Sequence, residues 1–161
     1  MLEQPDTHAN LMEITQALQH LGWGAATLAL YDENQTIVAR LTAGFEQDAQ
    51  GSREQEIVPD DVWEQYLSGE LEDRRVSGVY YVPADQNGGA WQPGDLVFAP
   101  LRFGQNNVIG AIRVQDPVNG LRPTPEDLRA LDILASQAAY VLENARLLDE
   151  AERSAAALAE Q

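Results

Sequence analysis

The chain has 161 residues, 44% of them hydrophobic: enough for one ordinary buried core and too few for two comfortable ones. A formal net charge of −16 makes a surface that repels phosphate backbones and anionic headgroups, so neither nucleic acid nor a membrane is an expected partner. There is no cysteine and no lysine, all ten basic residues being arginine, which excludes disulfides, thiolate nucleophiles, thioether-linked cofactors, Schiff-base chemistry and a P-loop lysine.

The pair Arg74-Arg75 follows Glu70, Glu72 and Asp73, so no basic patch is concentrated there. No apolar run reaches the ~18 residues a membrane span needs. Met1 to Asn10 lacks the basic and apolar regions of a signal peptide, and the expected location is cytoplasmic.

In chain order, Asp6 or Thr7 can cap a first helix running to about Leu21. Leu11, Ile14, Leu18 and Leu21 form one face of it, and Gly22 ends it. Ala25 to Tyr31 reads as a strand apolar on both faces. The turn Asp32-Glu33-Asn34-Gln35 leads into a second strand, Thr36 to Ala43. Phe45 to Ser52 reads as loop. Pro59 opens a short helix with Asp60 and Asp61 in its first turn and Val62, Trp63, Tyr66 and Leu67 on one face; Gly69 closes it. Arg75 to Val82 reads as a third strand, followed by a glycine- and proline-bearing loop from Ala84 to Gly94. Asp95 to Phe103 and Asn107 to Gln115 form a last hairpin around Gly104-Gln105-Asn106, and Asp116-Pro117 ends it.

Thr124 caps a long closing helix, with Pro125 first and Asp127 as its capping-box partner. Glu126 to Glu160 contains neither glycine nor proline. Leu128, Leu131, Leu134, Ala138, Val141, Ala145 and Leu148 mark a stripe spaced near 3.5 residues, continued by Ala151, Ala155 and Leu158. The expected division is a domain over 1–150 and a helical extension, a signalling linker, over 151–161.

The candidate ligand-binding residues are aromatic. They are Trp63 and Tyr66 on the short helix, Tyr80 and Tyr81 on the third strand, Trp91 in the loop and Phe98. The same rings also suit a core beneath the short helix. Arg113, and with it Arg102, can clamp a carboxylate or phosphate; by strand parity Arg113 shares a face with Ile109 and Ala111, opposite Val108, Ile112 and Val114. His8 and His20 have no metal-ligand spacing. The acidic run Glu54, Glu56, Asp60 and Asp61 reads as a solvated face. Neither a catalytic group nor a metal or cofactor site is expected.

The closing stretch carries a resemblance. Val97-Phe98-Ala99-Pro100-Leu101-Arg102 leads through a turn into Val108-Ile109-Gly110-Ala111-Ile112, then Asp116-Pro117, Arg122-Pro123-Thr124 and Glu126-Asp127-Leu128. Ala135-Ser136-Gln137-Ala138-Ala139 and Leu142-Glu143-Asn144-Ala145-Arg146-Leu147 follow. Together these resemble the C-terminal half of a GAF domain from a bacterial sensor histidine kinase or related regulator. The resemblance extends over roughly Leu11 to Glu150.

It implies an α+β fold: a GAF-like antiparallel β-sheet with the N- and C-terminal helices packed on one face and short helices and loops on the other. It also implies a sensory domain, not an enzyme, that binds a small molecule, forms a homodimer through the terminal helices and signals to an effector such as a kinase in cis. The alternative it leaves is a ligand-free dimerisation and relay module. The cysteines of bilin-binding and methionine sulfoxide reductase members, and the lysine of the cyclic-nucleotide signature, are absent.

Overall fold

The computed structural model describes residues 5–32, 34, 36–43, 58–85, 88–92, 94–103 and 107–159. Its elements are α1 (Pro5–His20), β1 (Trp23–Tyr31), β2 (Ile37–Ala43), α2 (Asp60–Ser68), β3 (Arg75–Val76), β4 (Val79–Val82), β5 (Leu96–Arg102), β6 (Val108–Pro117) and α3 (Pro125–Ala159). The strands form one antiparallel sheet of six, in the order β2-β1-β6-β5-β4-β3. The expected loop over Phe45 to Ser52 and the turn at Gly104-Gln105-Asn106 lie outside the described residues.

Local chemistry explains most boundaries. Asp32 accepts hydrogen bonds from the backbone N–H groups of Asn34 (2.8 Å) and Thr36 (2.9 Å), an Asx turn that reverses the chain between β1 and β2. Gly69 closes α2 in the left-handed region at φ 87°. At α3 the N–H of Thr124 donates to the Asp127 carboxylate (2.9 Å), while the N–H of Asp127 donates to the Thr124 hydroxyl (3.2 Å). That reciprocal pair is the capping box read from the sequence.

Several boundaries differ from the sequence reading; β1 begins at Trp23, and β6 runs on through Asp116 and Pro117, which pairs with Trp23. α1 begins at Pro5, so Asp6 and Thr7 stand inside its first turn, and Leu21 lies exposed beyond its end. The single strand expected over Arg75 to Val82 is a hairpin: Ser77 turns at φ 57°, so that Val76 pairs with Val79 and Arg75 with Tyr80. Gly78 in that turn lies against the Asp132 carboxylate of α3, where a Cβ would collide. Leu67 is largely exposed, at the rim of the groove described below; only Tyr66 is buried on α2, with Val62 and Trp63 half-buried.

Both faces of the sheet are covered, which is why β5 is buried continuously from Leu96 to Leu101. On one face, Leu11, Ile14 and Leu18 of α1 and Leu128, Leu131, Ala135, Ala138 and Leu142 of α3 pack on Leu28, Val97, Ala99 and Ile112. Each fully buried Leu or Ile contributes roughly 1.5–3 kcal/mol, so this layer dominates stability. On the other face Tyr66 and Leu71 pack on Ala29, Tyr80, Phe98 and Ala111.

Gly110 of β6 pairs with Leu30 and lies hard against the β1 backbone. A Cβ there would overlap the Ala29 carbonyl oxygen and lie 3.2 Å from side-chain carbons of Leu30 and Leu101. Gly110→Ala is therefore expected to destabilise by about 2 kcal/mol, since backbone in a central ladder cannot yield as a side chain can. Urea denaturation with an unchanged midpoint would contradict that close approach.

Candidate functional site

On the α2 side of the sheet, strand alternation and one helix turn bring distant aromatic rings together. Tyr80 stacks on Phe98 at 5.4 Å between ring centroids. Tyr66 meets Tyr80 edge-on at 5.1 Å, Trp63 lies 5.0 Å from Tyr66, and Tyr31 packs edge-on to Trp63 at 5.7 Å. The rings fill the space directly beneath α2. Burial raises the Tyr31 hydroxyl pKa to about 12.

A groove of about 390 Å³ opens beside this cluster, lined in part by Tyr66, Leu67, Glu72, Tyr80, Arg102 and Val108. Its polar end is built around Arg102, the last residue of β5. Nε and Nη2 of Arg102 donate to the Tyr66 hydroxyl oxygen at 2.9 and 2.7 Å. Nη2 also reaches the Tyr80 hydroxyl at 3.3 Å, and the guanidinium carbon lies 5.3 Å from the Tyr66 ring centroid. Tyr80 in turn donates to Glu72 at 3.2 Å, and Glu72 accepts from Arg75 Nε at 3.0 Å. Partial burial acts to lower the Arg102 pKa, but the bonds to Tyr66 and Tyr80 outweigh it and hold the value above the ordinary one.

Of the residues singled out from the sequence, Trp63, Tyr66, Tyr80 and Phe98 come together here. Tyr81 and Trp91 do not: both pack against the opposite cluster, under the terminal helices, with Trp91 edge-on to Trp23 at 5.9 Å. Strand alternation alone separates Tyr80 from Tyr81. Arg113 lies on the groove-side face in register with Thr27 and Phe98 but does not line the groove; burial lowers its pKa. The register shift between Leu101 and Arg102 also reverses two neighbours. Val108 joins the groove side and Ile109 packs on the helix side, opposite to simple parity.

A second polar centre was not anticipated. Asp95, only 1% exposed, accepts hydrogen bonds from the N–H groups of Ala84 (2.7 Å) and Gln92 (2.9 Å) and from Nε (2.9 Å) and Nη2 (3.0 Å) of Arg122. Arg122 extends the same fork to Asp85 at 3.0 Å and to the Gly88 carbonyl at 3.2 Å. This ties the loop after β4 to the segment that enters α3. Burial would raise the Asp95 pKa; the Arg122 bonds and the two backbone amides outweigh it and hold the carboxyl below its ordinary 3.8. Nothing local in the sequence signals a pair separated by 27 residues.

His20 is exposed at the end of α1, and the side chain of His8, with Glu54 and Glu56, lies outside the described residues. Among the described residues, no group of three or more His, Asp or Glu side chains is placed to hold a metal ion. Among the same residues, no helix is long and apolar enough to cross a membrane.

A six-stranded antiparallel sheet with its first and last helices on one face, and a short helix with a groove beside it on the other, is a GAF-like α+β arrangement. The chain belongs to the GAF domain family, whose model matches residues 6–143. GAF domains are a family of sensory and signalling domains. The fold is similar to that of the GAF domain/HD domain protein from Geobacter sulfurreducens. The identity is 17%, over 88% of this chain and 95% of that one, and the TM-score is 0.64. It is also similar to the second GAF domain of DevS from Mycobacterium smegmatis (16% identity, 89% and 98% covered, TM-score 0.58). A third similar structure is the blue-light-absorbing form of the PixJ GAF domain from Thermosynechococcus elongatus (14% identity, 92% of each chain, TM-score 0.60). No curated protein matches the chain.

Proposed function

We propose that this GAF domain is a cytoplasmic sensor of a small molecule, seated in the groove beside Tyr66 and Arg102. It relays occupancy through α1 and α3 to an effector in cis, such as a kinase, within a homodimer; residues 151–161 act as the connecting linker. The observation that carries this reading is the two-sidedness of β4 and β5. Tyr80 and Phe98 face the groove side, while Val79, Val97 and Ala99 on the same strands pack with the layer that holds α1 and α3. A ligand that repacks Tyr80 therefore bears on the helix layer one residue away. It shifts the helices only by its differential affinity for their two arrangements.

A second reading is favoured by the ring contacts. They fill the space beneath α2, as in a module that dimerises and relays without a ligand. Native mass spectrometry of the purified chain separates the two. A dimer with an added small mass, lost on denaturation, is the expected result. A dimer that stays empty after incubation with a metabolite extract favours the relay.

A further inference from the structure

The groove presents an unusual guanidinium. Among the described residues, the hydrogen bonds of Arg102 go to two neutral phenols, Tyr66 and Tyr80, and to no carboxylate. Its side-on edge, Nε with one N–H of Nη2, is taken by a single oxygen, that of Tyr66. On its end-on edge, among the described residues, only Nη2 is engaged, through the long 3.3 Å bond to Tyr80. Planarity of the fork puts Nη1 on the side away from the Tyr66 oxygen.

Tyr66 adds a donor. Its oxygen accepts both bonds from Arg102, so its own proton has to be donated elsewhere, and no acceptor for it lies among the described residues. Glu72, the acid in the groove, is turned to Arg75 and Tyr80. Leu67, Val108 and the Tyr66 ring line the groove together with Ser68 and Gly69.

We propose that the groove binds a small organic carboxylate of single negative charge. Its carboxylate would lie against the Nη1 side of the Arg102 end-on edge, with its apolar body against Leu67 and Val108. The assignment rests on the ligand-sensor reading of this same groove and names the ligand class. A guanidinium edge matches the two oxygens of a carboxylate, and clamping by neutral partners leaves its charge for the ligand. A phosphate dianion fits less well: one arginine faces it, Glu72 stands beside it, and the chain carries a net −16.

Benzoate, its neutral isostere benzamide, and inorganic phosphate are the probes, titrated into the ¹⁵N-labelled full chain and followed by NMR. Benzoate is expected to shift the Arg102 Nε–H and the Tyr66 and Val108 amide resonances saturably, at least about tenfold more tightly than benzamide or phosphate. Arg102→Gln should abolish that preference. Arg102→Lys keeps the charge but loses the fork, and should weaken benzoate while preserving a dispersed spectrum. Equal binding of benzoate and benzamide at the groove overturns the carboxylate assignment and leaves the groove as a ligand site. Tighter phosphate binding, or a benzoate preference unchanged in Arg102→Gln, also overturns it. If none of the three probes moves a groove resonance, the ligand-sensor reading of this groove falls with it.

Discussion

Asp95→Asn is expected to lower the melting temperature by about 10 °C at neutral pH, more than any surface substitution in this chain. Asparagine fits the space but offers one acceptor oxygen where the carboxylate has two. Those two oxygens serve Ala84, Gln92 and both Arg122 nitrogens. Its amide hydrogens would face donors, and among the described residues the Arg122 charge would keep exposed Asp85 as its acidic partner. Breaking one half of such a pair costs far more than a surface ion pair contributes. The pH dependence has a definite sign. The folded carboxyl lies below its ordinary 3.8, so its stabilisation is complete above that value and is lost as the pH falls through the folded one. The gap between wild type and Asp95→Asn should therefore be flat from neutral pH to about 5 and close below about 4. Calorimetry across that range checks it. A gap that persists undiminished in acid would mean that the loss comes from packing rather than from charge.

The particular residues show what a sequence carries and what it does not. Thr124 and Asp127 were legible as a cap because both partners lie within one helical turn. The burial of Leu11, Ile14 and Leu18 followed from spacing, and the gathering of Trp63 and Tyr66 over Tyr80 and Phe98 from aromatic content between two apolar strands. The hairpin at Ser77-Gly78 was not legible, because serine seldom takes a positive φ; the turn is seen only once α3 lies against Gly78. Tyr81 and Trp91 were grouped with the site by composition, yet alternation sends Tyr81 to the other face, and Trp91 is held there by Trp23. Arg102 ends a strand after a register shift, so parity did not reveal that it would meet Tyr66 across 36 residues.

The long helix gives the second large prediction, because its apolar residues form two stripes and periodicity alone cannot say which faces the domain. Leu128, Leu131, Ala135, Ala138 and Leu142 face the core, and Leu142 is 5% exposed. Ile133, Tyr140, Val141, Leu147 and Leu148 form a second stripe open to solvent, with Leu148 62% exposed. The sequence stripe had mixed the two, passing from Leu128 and Leu131 through Val141 to Leu148. Charged substitutions at Leu142 and at Leu148 therefore have different consequences. Leu142→Asp buries a carboxylate among apolar groups and should cost about 4 kcal/mol or more, abolishing the cooperative fold near room temperature or sending the protein into aggregates. Leu148→Asp should leave the melting of the monomeric domain, compared at concentrations where both proteins are dissociated, within about 2 °C of wild type, because a lone surface change rarely exceeds half a kcal/mol. In the proposed homodimer it places a charge in the seam that the open stripe would form, and sedimentation equilibrium should show monomer where wild type is dimeric. The stripe repeats at intervals of seven, from Ile133 to Tyr140 to Leu147 and from Val141 to Leu148, which suits a partner helix of the same kind. A Leu148→Asp protein that remains dimeric at micromolar concentration would move the seam elsewhere. A Leu142→Asp protein that folds normally would contradict the packing of α3 on the sheet.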